Sequence, residues 1–367
     1  MITHNHEVVV IGGGQAGLAI GHHLAEQGRD FVILDAATEP AAAWRARWDS
    51  LRLFTAARYD ALPGRPFPSD PDHYPSRDEV VEYLTAYAHD LPVDLDSRAQ
   101  RLFPIDGGYR VELEDRAFEA EQVVVATGPF QTPRIPAIAR DLDPSVRSLH
   151  SSEYRRPGEI RAGRVLVVGG GNTGFQIAEE LAGTHEVHLA IGTRQTPMPQ
   201  RILGRDVFRV LDAFGAMSKT ANTRVGRRMK ERDTLVGSSP RRARRRGIHL
   251  HPRATGVRGA SVVFEDGAEL TVDAVVWATG FATDHSWIEA DIFDSAGRVV
   301  QQRGVTPAPG LYALGLPWMH TRGSALLGWV GEDAAYLAQQ IAALQANAAS
   351  SLRTGSRGPR GVSVLLG

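Results

Sequence analysis

Two glycine-rich turns supply residue types that can bind phosphate. Gly12, Gly14 and Gly17 lie between an apolar run, VVVI, and LAIGHHLAEQG, whose apolar residues recur at helical spacing. In this pattern the first glycine permits a tight turn, the second admits a pyrophosphate, and the third lets the helix pack on the strand. The N–H groups at a helix N-terminus favour phosphate. A following run, FVILD, ends at Asp35, where an acid can accept hydrogen bonds from a ribose hydroxyl.

The same pattern recurs at Gly169, Gly171 and Gly174, in the stretch VLVVGGGNTGFQIAEEL. A strand, a glycine turn and a helix in this order are typical of a dinucleotide-binding unit. The chain is therefore expected to hold two dinucleotides, one resident and one visiting.

The second unit differs from the first at the ribose position. The residue at the corresponding sequence distance is Gly192, and Thr193 and Arg194 follow it. A missing acid with an arginine nearby is typical of a site for the 2′-phosphate of NADP. NADPH is therefore favoured over NADH, and the alternative is that Arg194 is a solvated surface residue.

Two further strands show how the units are connected. QVVVATGPF and AVVWATGF both end in Ala-Thr-Gly, and they flank the second glycine turn. The predicted fold class is α/β, with two Rossmann-like domains of the glutathione-reductase type and the second inserted in the first. Residues 1–149 and 273–348 would form the first domain, and residues 150–272 the inserted one. Residues 349–367 are predicted to be a flexible C-terminal tail.

Composition limits the class of protein. The 367 residues suit about two domains, and a net charge of −1 gives no bias toward nucleic acid or membrane. We expect a cytoplasmic protein, because no secretory pattern and no membrane-length apolar run is present. The histidines lack metal-ligand spacing, so no metal is expected. The basic stretch from Arg224 to Arg253 is interpreted as a solvated face or a positive funnel toward NADPH phosphates.

Several other stretches resemble the class B flavin-dependent monooxygenases, which include flavin-containing, Baeyer–Villiger and YUCCA-type enzymes. They are WRARWDSLRLFT from Trp44, YPSRDEVVEYLTAYA from Tyr74, and GLYALGLPWMH followed by GEDAAYLA. The resemblance covers nearly the whole chain and is closest in style to short bacterial members. It implies that the first domain binds FAD and the inserted domain NADPH.

The resemblance also implies a reaction. In that family NADPH transfers hydride to FAD, O2 is activated as the C4a-(hydro)peroxyflavin, and oxygen passes to a small organic substrate. N-oxidation, S-oxidation and Baeyer–Villiger oxidation all stay open. No nucleic acid or membrane partner is expected, and a homodimer is compatible with the family.

The glycine patterns and the resemblance together predict the cofactor contacts. Those for FAD are Gly12, Gly14, Gln15, Ala16, Gly17, Asp35, Trp44, Arg45, Leu53, Thr55, Gly331 and Glu332, and Thr127 and Gly128 are predicted cofactor contacts without assignment to one cofactor. Those for NADPH are Gly169, Gly171, Asn172, Thr173, Gly174, Thr193, Arg194, Thr279 and Gly280.

The catalytic residue stays open. Arg52, Arg65 and His150 are candidates. His150 and Tyr154 fit half of the family's linker motif, but Pro144 and Val146 stand where Phe and Gly are expected. A structural, hydrogen-bonded role for His150 is an equal alternative.

Paired nucleotide folds also occur in proteins with other functions. Disulfide reductases with paired nucleotide folds need a reactive cysteine pair, and this chain has no cysteine. An NADPH-dependent flavin reductase or oxidase, and a non-catalytic FAD-binding redox sensor, stay open as alternatives.

Overall fold

The two glycine turns lie in two separate sheets, of which the first is mixed and the second is wholly parallel. A computed structural model describes residues 2–161, 163–193, 195–217, 219–230 and 234–355. Each turn follows a strand that is hydrogen-bonded on both sides, and each leads directly into a helix. The predicted fold class, α/β with two Rossmann-like units, is confirmed.

The first sheet has seven strands in the order β3-β2-β1-β6-β5-β4, and β21 pairs with β6. The residues Val8, Val9 and Val10 of β1 are fully buried, as expected for a parallel strand covered on both faces. The strands of this sheet are β1 (Ile2–Ile11), β2 (Phe31–Leu34), β3 (Val93–Asp94), β4 (Arg101–Ile105), β5 (Gly108–Glu112), β6 (Arg116–Val125) and β21 (Leu311–Ala313).

The second sheet is wholly parallel and has the order β15-β10-β9-β19-β8. Its members are β8 (Arg147–His150), β9 (Arg164–Val168), β10 (Glu186–Ala190), β15 (His249–His251) and β19 (Ala274–Trp277). We refer to the two sheets with their packed helices as the first unit and the second unit.

Smaller sheets connect or extend these units. The strand β7 (Thr132–Pro133) pairs with β20 (Phe281–Ala282), and this pair joins the turns that follow β6 and β19. The other short strands are β11 (Thr196–Met198), β12 (Arg201–Ile202), β13 (Arg205–Asp206), β14 (Thr234–Val236), β16 (Ala254–Arg258), β17 (Ser261–Phe264) and β18 (Glu269–Thr271).

The helices cover the sheets. They are α1 (Gln15–Glu26), α2 (Ala42–Arg45), α3 (Arg77–Ala88), α4 (Asn172–Leu181), α5 (Val207–Ala213), α6 (Arg224–Lys230), α7 (Pro240–Arg245) and α8 (Val330–Gly355). Both α1 and α4 begin directly after a glycine turn, and α8 packs against α1. In the part of the chain that the structure describes, no helix is long and apolar enough to cross a membrane.

The strand pairing moves both expected boundaries of the insertion. Residues 147–149 and the strand from Ala274 were expected in the first domain. In the structure β8 and β19 pair with each other, and β19 pairs with β9, so both belong to the second sheet. A strand of four residues, such as β8 or β19, does not indicate by its sequence which sheet it joins. The expected boundaries were therefore wrong.

The end of the chain also differs from the expectation. Helix α8 continues to Gly355, so residues 349–355 are helical and do not belong to a flexible tail. Residues 356–367 lie outside the described part.

Candidate functional site

The first glycine turn has one crowded side and one open side. Gly12 has φ +112°, and a Cβ on Gly17 would lie 1.8 Å from the carbonyl oxygen of Gly12. A Cβ on Gly14 would have no neighbour within 4 Å. No side chain caps α1. Its first N–H groups, which include those of Gln15 and Ala16, therefore face a space where a phosphate could bind.

Asp35 is held directly beside this turn. It follows β2, and its two carboxylate oxygens accept hydrogen bonds from Gly13 N at 2.5 Å and Ala37 N at 2.8 Å. A carboxylate has about four acceptor positions, so further donors such as ribose hydroxyls can still bind. The predicted contact of Asp35 with a ribose is compatible with this geometry.

The second turn repeats the crowding. Gly169 has φ +134°, and a Cβ on Gly174 would lie 1.9 Å from the carbonyl oxygen of Gly169. Gly171 precedes α4, which again has no side-chain cap, and Thr173 is its second residue. Asn172 supports the turn, because its side chain bonds Thr234 O at 3.2 Å and Val236 N at 2.9 Å.

The structural counterpart of Asp35 is Ile191, one residue before the Gly192 that the sequence count gave. Gly12 N bonds Leu34 O at 2.7 Å, and Gly169 N bonds Ala190 O at 3.0 Å, so Asp35 and Ile191 follow equivalent strand ends. The one-residue error leaves the conclusion intact, because neither Ile191 nor Gly192 is an acid.

Other polar groups surround this position in the second unit. The Gln195 side chain bonds the carbonyl and hydroxyl oxygens of Thr193, both at 3.2 Å. The guanidinium of Arg253 donates to Gly192 O at 2.7 Å. Arg253 follows β15 and was not predicted as a cofactor contact, because its place at the end of the basic stretch does not reveal its bond to Gly192. Arg194 lies outside the described residues.

The segment from Trp44 to Leu53 lies between the two units. The side chains of Trp44 and Leu53 each contact the cores of both units. The Trp44 indole donates to the Gln15 side chain at 3.1 Å, and Gln15 donates to Ala325 O at 2.9 Å. These bonds link the segment to the start of α1. By contrast, Arg45 is exposed and pairs with Glu39 at 3.1 Å.

Thr55 contacts a buried acid. Its hydroxyl donates to Asp60 Oδ1 at 2.6 Å, and the other oxygen of Asp60 has no partner among the described residues. Burial raises the pKa of Asp60 to about 7, although the Thr55 hydrogen bond opposes the shift, and the charge of Asp206 adds to it. Asp60 was not predicted, because a lone acid in ARYDALPG gave no signal of burial.

The two Ala-Thr-Gly turns meet where β7 and β20 pair. Gly128 and Gly280 have φ +69° and +78°, and a Cβ on either would have open space around it. The Thr127 hydroxyl accepts from Gln131 at 2.9 Å, and the Thr279 hydroxyl donates to Arg134 O. The carboxyl ends of β6 and β19, each a parallel neighbour of the strand before a glycine turn, therefore face one junction, which is a usual place for ligands in such folds.

His150 is fully buried at this junction and is structural in its contacts. Ser152 N donates to Nδ1 at 3.1 Å, so Nε2 carries the proton and donates to Gly280 O at 3.0 Å. Burial lowers the pKa of His150, which keeps the ring neutral. Tyr154 is also buried and donates to Glu180 at 2.8 Å.

Arg47 is a residue that sequence reasoning missed. Its guanidinium lies over the rings of Phe130 at 4.8 Å and Phe281 at 5.3 Å, at the junction of the two units. Burial and the nearby Arg155 lower the pKa of Arg47. A cation over aromatic faces contributes about 0.5–2 kcal/mol. The segment WRARW gave no reason to prefer this arginine over its neighbour.

The remaining predicted residues lie at separate places. Arg52 is exposed and donates to Tyr74 O at 3.2 Å, whereas Arg65 is half-buried and pairs with Asp90 at 2.6 Å. Neither described contact involves a glycine turn. Gly331 and Glu332 lie in the first turn of α8, as the acids predicted, and a Cβ on Gly331 would lie 2.9 Å from Pro63.

The fold and the two turns define an oxidoreductase-type protein with two dinucleotide sites. The model of the family described as pyridine nucleotide-disulphide oxidoreductase matches residues 9–203. The chain belongs to this family. An uncharacterized CzcO-like oxidoreductase from Geobacillus kaustophilus is 40% identical over 345 residues, covering 93% of this chain and 99% of the relative.

Two further comparisons narrow the class. The flavin-containing monooxygenase structure from Stenotrophomonas maltophilia is 31% identical, with a TM-score of 0.77, and covers 94% of this chain and 99% of that chain. A probable indole-3-pyruvate monooxygenase, YUCCA9, from Arabidopsis thaliana is 26% identical, and the match covers 91% of this chain and 88% of that relative. The predicted resemblance to flavin-dependent monooxygenases is confirmed, and the comparisons support FAD and NADPH as cofactors.

Proposed function

We propose that this protein is an NADPH-dependent FAD monooxygenase that transfers oxygen to a small organic substrate. The observation that carries the proposal is the pair of matched glycine turns, which differ at the ribose position and whose sheets meet at one junction. The similarity to the Stenotrophomonas maltophilia enzyme supports it. In this reaction NADPH supplies two electrons, one oxygen atom enters the substrate, and the other leaves as water.

The first unit fits FAD. The uncapped start of α1 would bind the pyrophosphate, and Asp35 would accept hydrogen bonds from the ribose. Trp44 and Leu53 would position the flavin end, because they lie between the two cores and are tied to Gln15. When bound, FAD supplies the hydride acceptor and the group that activates dioxygen.

The second unit fits NADPH. The start of α4 would bind the pyrophosphate, and Arg253 lies close to the ribose position with Ile191 in place of an acid. An uncharged position beside a cation accommodates a 2′-phosphate better than a carboxylate does. We include Thr193 and Arg194 in this subsite on the sequence pattern alone.

Residues at the junction would control charge and water. Arg47 is a fixed cation between the units and would stabilise negative charge there. The rings of Phe281 and Phe130 contact each other at 5.4 Å and would limit access of water. Exclusion of water protects a reactive oxygen donor from loss as hydrogen peroxide. His150 acts as a positioning residue that holds the Gly280 turn.

The test is an oxygen balance with isotope-labelled dioxygen. FAD-loaded protein would be mixed with NADPH and with a thioether, a tertiary amine and a cyclic ketone, and products and hydrogen peroxide would be measured. Labelled product in proportion to the NADPH consumed supports a monooxygenase. NADPH oxidation with peroxide as the only oxygen product would favour an oxidase, and absence of flavin reduction would favour a sensor.

A further inference from the structure

An open cavity lies between the first unit and the segment that follows β10. Its volume is about 540 Å³, which is within the range of small-molecule sites. Tyr74 lines it from the first unit, and Met198, Arg201, Arg242 and Arg245 line it from the second. These residues are not among the predicted contacts of either dinucleotide, although Arg242 and Arg245 belong to the basic stretch from Arg224 to Arg253.

The charges that face this cavity are positive. Arg201 bonds Asp72 O at 3.2 Å and lies over the Tyr74 ring at 5.4 Å, so its described contacts include no carboxylate. The Arg245 side chain forms no ion pair or hydrogen bond within the described ranges. Among the lining residues in the described part of the chain, none is an acid.

Arg242 does not cancel this charge. It pairs with Glu179 at 3.3 Å, but Arg246 pairs with the same carboxylate oxygen at 3.4 Å. One acid therefore serves two arginines, and Arg201 and Arg245 add further positive charge. A site of this kind favours an anion, and arginine can bind a carboxylate or phosphate with two parallel hydrogen bonds.

The cavity also has an apolar part, formed by Pro197, Met198 and Pro199. Met198 packs in a group with Phe54, Phe208 and Trp329. Phe54 stacks on Phe208 at 5.8 Å, and Phe208 contacts Trp329 at 5.9 Å. This aromatic group adjoins Thr55, a residue of the predicted flavin segment.

The wall between the units is held in place by hydrogen bonds. The Tyr74 hydroxyl donates to Asp206 at 2.7 Å, and Asp206 accepts from Phe208 N at 2.8 Å. Burial, with the hydrogen bond to Asp206, raises the pKa of Tyr74 to about 12. Tyr74 therefore stays a neutral donor and adds no negative charge to the cavity.

We infer that this cavity binds a small organic anion, with its carboxylate, sulfonate or phosphate group at Arg201 and Arg245 and its apolar body at Met198. If the proposed monooxygenase function is correct, this anion is its substrate class, and the inference rests on that function to this extent. Binding itself does not depend on turnover. An anionic group could also come from NADPH, because Asn172 at the second glycine turn bonds Val236, next to the lining residue Gly237.

Titration calorimetry on the FAD-loaded full chain separates these sources. The probes are phenylacetate, benzenesulfonate and phenyl phosphate, with phenylacetamide as the uncharged match and adenosine 2′,5′-bisphosphate as the nucleotide match. We expect at least one of the three anions to bind more tightly than phenylacetamide. Its affinity should fall about tenfold in Arg201→Gln and in Arg245→Gln, since a hydrogen bond to a charged group is lost.

The matched control is Arg244→Gln, which removes the same charge from the same helix at an exposed residue that does not line the cavity. It should leave anion binding unchanged, and the bisphosphate should bind all variants equally. Three results overturn the inference: none of the three anions binds, Arg244→Gln weakens binding equally, or only the bisphosphate responds to Arg201→Gln and Arg245→Gln. If anions bind while the oxygen balance yields no product, the proposed function fails and the site remains.

Discussion

The two units share the backbone conformation of the glycine turn and differ in the side chain that follows the next strand. The turns match closely, because a Cβ on Gly17 would lie 1.8 Å from the carbonyl oxygen of Gly12, and a Cβ on Gly174 would lie 1.9 Å from that of Gly169. At the end of the next strand the first unit has Asp35 and the second has Ile191. In the proposed function, the backbone of each turn would bind phosphate, and the neighbouring side chain would select which dinucleotide binds.

The largest expected effect comes from blocking the close approach of the two glycines within a turn, in one unit at a time. In Gly17→Ala the methyl group would collide with Gly12, at a cost of about 3 kcal/mol or more. We expect loss of bound FAD and a large fall in melting temperature. Gly174→Ala should keep FAD but lose reduction by NADPH.

Flavin absorbance and thermal denaturation measure both effects. Gly158→Ala is the control, since a Cβ there has no neighbour within 4 Å and φ is not positive. Equal loss of FAD in the Gly17 and Gly174 variants would contradict separate sites.

A second expected effect tests the ribose positions. Asp35→Asn removes the charge that accepts the ribose hydroxyls, and FAD should bind about tenfold more weakly. Ile191→Asp places an acid at the matched position, where it should repel a 2′-phosphate and favour a ribose hydroxyl. Steady-state kinetics should then show a higher KM for NADPH and a lower one for NADH. An unchanged preference for NADPH over NADH would contradict the assignment of Ile191 to the ribose position.

A smaller effect is expected at the junction. Arg47→Gln removes the cation beside Phe130 and Phe281, and a partly exposed charge is worth up to about 1 kcal/mol, or roughly fivefold in rate. Anaerobic flavin reduction by NADPH should slow by about this factor while FAD content stays constant. Arg156→Gln serves as the control, because Arg156 is an exposed arginine on the connection between β8 and β9 of the second unit. A loss of FAD without a change in rate would show that Arg47 is structural.

The smallest effect concerns pH and Asp60. Its pKa is raised from 3.8 to about 7, mainly by burial, so the folded protein binds this proton more tightly than the unfolded chain. Stability therefore decreases as pH rises from 3.8 through about 7. In Asp60→Asn this part of the pH dependence should disappear from melting curves, whereas exposed Asp141→Asn should retain it. Parallel curves for wild type and Asp60→Asn would contradict a buried carboxyl that titrates.

The sequence could predict the parts that depend on local order. A strand, three glycines and a helix fix both turns, and the Ala-Thr-Gly endings indicate the junction. Residues that act through distant contacts could not be predicted. Arg47, Arg253 and Asp60 owe their environments to Phe281, Gly192 and Thr55, and the membership of β19 in the second sheet depends on its pairing with β8 and β9.

The most direct test of the central claim is anaerobic stopped-flow reduction of the FAD-loaded protein by NADPH and by NADH. If the first turn holds FAD and the second selects a 2′-phosphate, the flavin absorbance should bleach at lower concentrations of NADPH than of NADH. Equal or better reduction by NADH would contradict the assignment of the second site, and no reduction by either would contradict the proposed function.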